Sequence, residues 1–445
     1  MSLLVALAAL TLGSPASALP ASAPPRVDRA FEAGPPASPA PAAAYDSLRA
    51  PPIGPADQPL RFEMVPVELA SSNVWLRAPF GDNLLTAPEQ WRDERSRAER
   101  MKLRFDYNRV DEVRAGLSVE LQRPYTMAPR LGAMYEYAFS RDRALYGVQL
   151  EQPLLPPGRL ALGASITRRT DHSELQQVDN LENTLALLLG RQDYRDYFER
   201  EGYGVYLSWR VPDFSTVSLH WRSDEYRSLE KQPSVYSMFA RDKELRDNPP
   251  IDDGTQHAML IRLERLARNS YRTRAGLYHW IELADAGGGL GGDFTYTRVL
   301  ADVRSVLRLS PATTLNLRGV FGTTPSGTLP RQSEFTAGGV DGLRAHSFSQ
   351  YRGNQMAMAQ AEYDVGLWHV RSGWMTGGLH AIGFLDLGRA WQNSDHAWDL
   401  SRQHVAVDGG IGFATAEDGL RVYFAKNLQE SGSPFVTSFR LQRPF

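Results

Sequence analysis

Residues 203–211 read Tyr-Gly-Val-Tyr-Leu-Ser-Trp-Arg-Val, and their polarity alternates with a period of two. In an extended strand, successive side chains point to opposite faces. One face of this segment therefore carries Tyr203, Val205, Leu207, Trp209 and Val211, and the other carries Gly204, Tyr206, Ser208 and Arg210. The first face suits lipid and the second suits water, which is typical of a strand in a transmembrane β-barrel.

The same alternation recurs at 160–167 and 216–222, and the connections between such segments fall into two classes. Some are tight, such as 310–312, whereas others are long and polar, namely 170–202, 223–255, 322–353 and 388–403. Short turns at one end and long loops at the other are typical of outer-membrane barrels. Counting segments from Met101 predicts about sixteen antiparallel strands, with both ends of the barrel on the periplasmic side.

Composition agrees with this all-β class once the alternation is considered. The mean hydropathy is -0.37, as in many soluble proteins, but only half of each barrel strand has to be apolar. No stretch approaches the roughly 20 apolar residues that a membrane-spanning helix needs. The net charge of -2 gives no indication of a nucleic-acid partner, and the absence of cysteine fits an exported chain. We expect residues 101–445 to form a transmembrane antiparallel β-barrel.

The chain before the barrel divides into three parts. Residues 1–18 have an apolar core followed by small residues up to Ala18, which predicts a signal peptide and export to the bacterial outer membrane. Residues 19–59 are rich in Pro and Ala and are expected to form a disordered tether. Residues 60–100 are expected to contain a short strand near 62–69 and a charged helix near 88–100, which closes the barrel mouth or enters its lumen.

The loop at 335–346 contains three glycines, Gly338, Gly339 and Gly342, just before Arg344. Glycines permit the positive φ values that a long loop needs to fold back into a barrel. An arginine inside a narrow lumen requires a partner, because an unpaired buried charge is strongly unfavourable. Asp386 can point inward, because it shares one face of a later strand with Phe384 and Gly388.

These two segments resemble the BamA/TamA (bacterial surface antigen) superfamily of outer-membrane barrels. The family has Gly-Gly followed by Val-Arg-Gly-Phe/Tyr in its sixth outer loop, and Phe-x-Asp-x-Gly in its thirteenth strand. The matching residues here are Gly338 and Gly339, then Leu343, Arg344, Ala345 and His346, and finally Phe384, Asp386 and Gly388. The resemblance implies that Arg344 enters the lumen and contacts Asp386 as a lumenal lock.

Further segments match the family in part. Residues 103–110 resemble the first strand of some members, and 193–202 resembles part of the third outer loop, where a helix is expected at about 178–200. Phe445 at the end of the last strand resembles the sorting signal that the barrel-assembly machinery reads. Ala345 and His346 replace a glycine and an aromatic residue, so this loop is expected to pack differently. Residues 19–100 are too few for the family's series of folded POTRA domains, which implies the branch without them.

The resemblance implies a barrel that translocates or inserts protein or lipid cargo and has outer-membrane lipid around it. The expected mechanism uses a weak seam between the first strand (103–109) and the last (434–445), whose edges a substrate completes by β-augmentation. Pro444 lacks an N–H and weakens pairing there, or it lies beyond the last hydrogen bond. The alternative function is a passive pore or a structural, surface-antigen barrel.

An enzyme is the third functional class. Some outer-membrane barrels carry Ser/His/Asp sites at their rim. The nine histidines here are scattered and fit no nucleophile or metal-ligand spacing; His220 and His279 are interpreted as strand residues. We therefore expect no catalytic site, metal site or cofactor.

Overall fold

The computed structural model describes residues 99–121, 127–155, 159–173, 175–178, 180–211, 215–240, 242–265, 276–372, 375–394, 398–400, 403–415 and 420–441. The expected signal peptide, tether and nearly all of the pre-barrel segment lie outside these residues. Phe445, the proposed sorting signal, also lies outside them.

Sixteen strands form one antiparallel sheet in which each strand pairs with its neighbours in the chain. The strands of this sheet are β1 (Glu99–Asn108), β2 (Glu112–Leu121), β3 (Arg130–Ala138), β4 (Arg143–Leu155), β5 (Leu160–His172), β6 (Tyr197–Arg210), β7 (Thr216–Ser228), β8 (Gly254–Arg265), β9 (Gly276–Ala286), β10 (Tyr296–Ser310), β11 (Thr313–Gly327), β14 (Gln355–Ser372), β15 (Met375–Trp391), β16 (Ala406–Thr415), β17 (Leu420–Asn427) and β18 (Val436–Leu441). A separate hairpin, β12 (Phe335–Ala337) and β13 (Tyr351–Gly353), lies within the connection between β11 and β14. The predicted all-β, sixteen-stranded barrel is confirmed.

The two faces of the sheet have opposite character. On β6, Tyr203 and Trp209 are 56% and 53% exposed, whereas Tyr206 and Ser208 are buried. On β1, Leu103 lies on the exposed face and Arg104 on the buried face, where its Nε donates to Glu136 Oε1 at 2.5 Å. The apolar side chains therefore face lipid, and the charged side chains face one another in the interior.

The long connections lie at one end of the sheet as predicted, but two connections at that end are short, with three residues between β1 and β2 and four between β3 and β4; several strands also extend further than expected. Only two residues separate β10 from β11, whereas 24 separate β5 from β6. The strands continue into segments that the sequence assigned to long loops, because their ends still find antiparallel partners. Asp171, for example, pairs with Phe198.

The loop between β5 and β6 contains the α-helix α1 (Asn180–Gly190), which is shorter than the predicted helix at 178–200. Arg191 has a φ of 53°, and its N–H donates to Leu187 O while the N–H of Gln192 donates to Ala186 O. This hydrogen-bond pattern terminates helices. Residues 197–200 belong to β6 instead. Along the described residues, no helix is long and apolar enough to cross a membrane.

The predicted helix at 88–100 is also wrong at its end. Glu99 and Arg100 begin β1, where they pair with Leu121 and Glu120 of β2. Antiparallel pairing gives the backbone groups of these residues hydrogen-bond partners in β2, which they would not have in a helix.

Several connections, both short and long, are joined by a buried carboxylate at the end of the sheet where the long loops lie. Asp196, which precedes β6, accepts hydrogen bonds from Arg109 Nη2 at 3.0 Å and Arg352 Nη2 at 3.5 Å. Arg246 Nη1 lies 2.7 Å from the same carboxylate, and its guanidinium lies over the Phe348 ring at 4.4 Å. These three cations come from three different connections, so the loops form one joined layer.

The two faces of β5 provide a test of which side contacts lipid. Ile166 is exposed on the apolar face, whereas the adjacent Ser165 lines an interior cavity beside Arg169 and Arg200. We expect Ile166→Glu to lower the free energy of unfolding in phospholipid vesicles by about 1–2 kcal/mol, because it places a charge against lipid. Ser165→Glu introduces the same charge one residue away and should cost much less. Equal losses in denaturant titrations of the two variants would contradict this orientation.

Candidate lumenal site

Within the connection between β11 and β14, residues 338–350 join β12 to β13 and fold back on themselves. Gly338 and Gly339 have φ values of 118° and 87°, in the region that favours glycine. A Cβ on Gly338 would lie 2.3 Å from Ser347 O, so no other residue fits there without a shift. The N–H of Gly339 donates to both Leu343 O and His346 O at 3.1 Å. These bonds close the turn that presents Arg344.

The residues just before Arg344 hold the turn against the sheet. The N–H of Gly342 donates to Gly339 O at 3.0 Å, and Gly342 O accepts a hydrogen bond from Gln360 Nε2 at 2.8 Å. Leu343 is fully buried among apolar side chains. Arg344 therefore leaves a fixed backbone and projects between β14 and β15.

The Arg344 guanidinium binds two carboxylates inside the molecule. Its Nε and Nη2 each donate to an oxygen of Asp386 at 2.8 Å, and Nη1 donates to Glu362 Oε1 at 2.6 Å. The side chains of all three residues have no solvent exposure. Arg421 Nη1 lies 3.2 Å from the other oxygen of Glu362, so two cations balance two anions. Such paired, hydrogen-bonded geometry is what a buried ion cluster requires.

Two aromatic rings complete the surroundings of Arg344. The guanidinium carbon lies 3.9 Å from the centre of the Phe384 ring and 4.6 Å from that of Tyr423. The Tyr423 hydroxyl donates to Glu362 Oε1 at 3.2 Å. Burial opposes the charge on Arg344, but Asp386 and Glu362 outweigh it and hold the pKa of Arg344 above its ordinary value. The cluster is suited to holding the loop in one position, because releasing it would separate several buried charges.

The register of β14 and β15 explains how the strands supply this cluster. Glu362 lies opposite Phe384, and Gln360 lies opposite Asp386, so all four side chains point to one face. A Cβ on Gly388, the next residue on this face of β15, would lie 2.8 Å from Ala357 O and 3.0 Å from Met358 Cα. Gly388 therefore permits the close approach of β14 to β15. Each of the three motif residues thus has its own role: Phe384 packs against the Arg344 guanidinium, Asp386 binds it, and Gly388 lets the two strands approach.

Ala345 and His346 contact β16, which the sequence did not predict. The N–H of Ala345 donates to Asp408 Oδ2 at 2.7 Å, and His346 Nδ1 lies 3.1 Å from the same oxygen. Ala345 also packs against the cluster that contains Phe384 and Tyr423. Asp408 lies opposite Asp386 in the β15–β16 register, and this non-local pairing is the signal that sequence reasoning lacked.

Val340 and Asp341, which precede Arg344 in the loop, also bind side chains of β18 and β11. Arg440 Nη1 donates to Asp341 Oδ1 at 2.6 Å and to Val340 O at 3.1 Å, and Arg318 Nη1 donates to Asp341 O at 2.9 Å. The sequence analysis did not select Arg440, Asp341 or Arg318, since no local motif marks them. Through these contacts the loop joins the last strand of the sheet to its centre.

The two histidines considered in the sequence lie in strands away from this cluster. His220 is in β7 with its Nε2 2.8 Å from Ser218 Oγ, and His279 is in β9 with its Nε2 3.5 Å from Ser215 Oγ. Neither is brought next to Arg344 or Asp386 by any contact that the described residues show.

A family model matches most of the chain. Residues 96–431 match the Omp85 superfamily domain. A structure of BamA from Haemophilus ducreyi lacking POTRA domains 1–3 is similar at 13% identity and a TM-score of 0.52, covering 77% of this chain and 70% of that chain. Two structures of CdiB also match 77% of this chain: one from Acinetobacter baumannii (12% identity, TM-score 0.41, 58% of that chain) and one from Escherichia coli (10%, 0.44, 62%). No curated protein sequence matches the chain.

The Arg344 cluster predicts a large and non-additive loss of stability. Arg344→Ala leaves Asp386 and Glu362 buried with fewer partners, so we expect the free energy of unfolding to fall by about 3–5 kcal/mol. The double variant R344A/D386A should lose less than the sum of the two single variants, because one carboxylate goes with the arginine. Denaturant titration of the four proteins measures this coupling, and simple additivity would rule out a direct interaction.

The backbone turn gives a second prediction. Gly338→Ala is expected to destabilise the protein by about 1–3 kcal/mol, because it strains a positive φ and meets Ser347 O. Gly319→Ala on β11 is the matched control, since a Cβ there meets no atom within 4 Å. Thermal or denaturant unfolding compares the two, and a G338A variant as stable as G319A would show that the loop tolerates another path.

Proposed function

Because the chain belongs to the Omp85 superfamily and is an outer-membrane β-barrel, we propose that it inserts or translocates polypeptide cargo at the outer membrane. Lipid is the second class of cargo that such a barrel could carry. Outer-membrane lipid surrounds the apolar face, and the barrel-assembly machinery is the proposed partner during biogenesis.

One discontinuity in the sheet carries this proposal. Fifteen strand interfaces follow one another from β1 to β18, but along the described residues β1 and β18 do not pair with each other. In hydrocarbon, backbone N–H and C=O groups need partners from protein. An extended cargo segment satisfies this need by adding to a strand edge. A seam of this kind favours polypeptide as the cargo.

The loop that carries Arg344 has the contacts needed to influence that seam. Asp341 of this loop binds Arg440 of β18, while Arg344 of the same loop binds Asp386 and Glu362. A shift of β18 therefore changes the contacts of Asp341 directly. In this proposal the Arg344 cluster holds the loop, and with it β18, in the position from which cargo can pair with the edge of β18.

A passive pore is the alternative, and one observation favours it. An interior cavity is lined by four arginines, Arg169, Arg200, Arg222 and Arg262, whose ion-pair partners are three carboxylates, Asp171, Asp224 and Glu282. An excess of cations along an aqueous passage would give it a preference for anions. The pore hypothesis requires steady conductance with no dependence on cargo.

Reconstitution separates the two functions. Purified protein in liposomes is expected to accelerate the folding of an added, urea-unfolded outer-membrane barrel protein over empty liposomes. R344A should reduce this acceleration by roughly tenfold, the factor that corresponds to about 1.4 kcal/mol. Arg227→Ala is the control, because Arg227 is 41% exposed and lies outside the lumenal cluster.

Planar-bilayer conductance completes the comparison. If Arg344 and Asp386 hold the loop together, R344A and D386A should raise conductance alike and the double variant should add nothing further. Steady wild-type conductance that all three variants leave unchanged, combined with no acceleration of folding, would support the passive pore and sink the proposed insertase.

A further inference from the structure

The helix α1 contacts both ends of the sheet. The backbone N–H of Tyr107 on β1 donates to Thr184 Oγ1 at 3.2 Å, and that hydroxyl lies 3.4 Å from Tyr107 O. The backbone N–H of Leu441 on β18 donates to Glu182 Oε2 at 3.0 Å. Side chains of one helix therefore bond to backbone groups of the first and the last strand.

The contacts with β1 and with β18 come from opposite sides of α1. Each residue turns the helix by about 100°, so Glu182 and Thr184 project from nearly opposite sides. One side meets β18 and the other meets β1. Asn183, between them, is fully buried and donates from its Nδ2 to Asp193 Oδ1 at 3.1 Å, within the helix's own loop. Leu181 and Leu185 project roughly opposite to Asn183.

Additional contacts hold each side of α1 in place. Toward β18, Arg440 Nε lies 2.6 Å from Glu182 Oε1. Toward β1, Leu187 is buried with Tyr107, Val235 and Leu245. The helix thus fills the gap with one buried ion pair and one apolar cluster.

A helix is a poor substitute for a strand in this position. A neighbouring strand bonds to the edge through its own backbone at every second residue, whereas α1 reaches the described edges through the side chains of Thr184 and Glu182. An extended segment offers the edge of a sheet a backbone partner at every second residue, which a helix cannot do. This difference gives an incoming strand a reason to replace the helix.

We propose that α1 is the resident occupant of the β1–β18 seam, and that an extended polypeptide enters the seam by displacing it. This inference rests on the proposed function for the identity of the displacing segment. It adds a defined resting state, in which Arg440 binds Glu182 of the helix and Asp341 of the Arg344 loop at the same time. Departure of α1 removes one of the two carboxylates that hold Arg440.

Hydrogen exchange tests whether the helix protects the two edges. In the full-length protein in lipid nanodiscs, E182A/T184A is expected to speed exchange of the Tyr107 and Leu441 amides by roughly fivefold, the factor for losing one hydrogen bond. Amides in β9 and β10 should not change. Leu189→Ala is the matched control on the same helix, because Leu189 is 43% exposed. Unchanged exchange at both edge amides in E182A/T184A would overturn the proposal.

The sequence contains no cysteine, so a pair of introduced cysteines can fix the helix in the seam without competing thiols. Thr184 Oγ1 lies 3.4 Å from Asp106 Oδ1, so T184C and D106C can be joined by a disulfide or a short bis-thiol reagent. The control is T297C with S326C, whose hydroxyl oxygens lie 3.0 Å apart on β10 and β11 strands that are already paired. The probe is a photo-crosslinkable peptide with the sequence of residues 434–445.

The joined T184C/D106C protein should capture at least roughly tenfold less peptide than its reduced form, whereas the T297C/S326C control should capture equal amounts in both states. E182A/T184A should capture more than wild type. Equal capture by the joined and reduced seam, or no capture by wild type and E182A/T184A alike, would overturn the inference. If the crosslink lowers peptide capture but the wild type never accelerates folding of a barrel protein, the proposed function fails. The inference that α1 occupies the seam is then still supported.

Discussion

The bilayer does not provide hydrogen bonds to a polypeptide backbone, and most of this structure follows from that constraint. Each strand pairs with its neighbour in the chain, and the pairing continues without a crossover from β1 to β18. The constraint is hardest to meet where the sheet begins and ends. There, the described residues show a helix, with Thr184 and Glu182 bonding to the backbones of β1 and β18. The least regular part of the barrel wall is thus also the part where another chain would find backbone partners.

The same medium directs charge inward, where it has to be neutralised by other protein groups. Arg344 shows how completely this is done: two carboxylates and two aromatic rings surround it, a second arginine binds the far oxygen of Glu362, and none of the ions in the pairs that Arg344 makes is exposed. Moving one partner out of such a cluster would leave another buried charge uncompensated, which favours a single position of the loop. Because Asp341 lies three residues before Arg344 and binds Arg440, the position of the loop and the position of the last strand are set together.

Much of the fold was predictable because alternation is a local property of the sequence. The face of β6 that carries Tyr203 and Trp209 could be assigned without knowledge of its neighbours, and the strand count followed from repeating that step. The approach of Arg344 to Asp386 could be anticipated only through a family motif. Glu362, Asp408 and Arg440 were missed, since their roles depend on register and on chain closure across many strands. The end of α1 was misplaced for a similar reason, because the pairing of Phe198 with Asp171 extends β6 into residues with no strong local preference.

The carboxylate of Asp196 has a consequence for how this protein can change over generations. It binds Arg109, Arg246 and Arg352, which belong to three connections that meet at one end of the barrel. Substituting any one arginine leaves the shared anion with fewer partners, so variation in one connection is constrained by the sequences of the other two. Surface loops usually vary more in sequence than the elements that they connect. Here a substitution in one of the three connections changes the electrostatic surroundings of the other two, because all three share the Asp196 carboxylate.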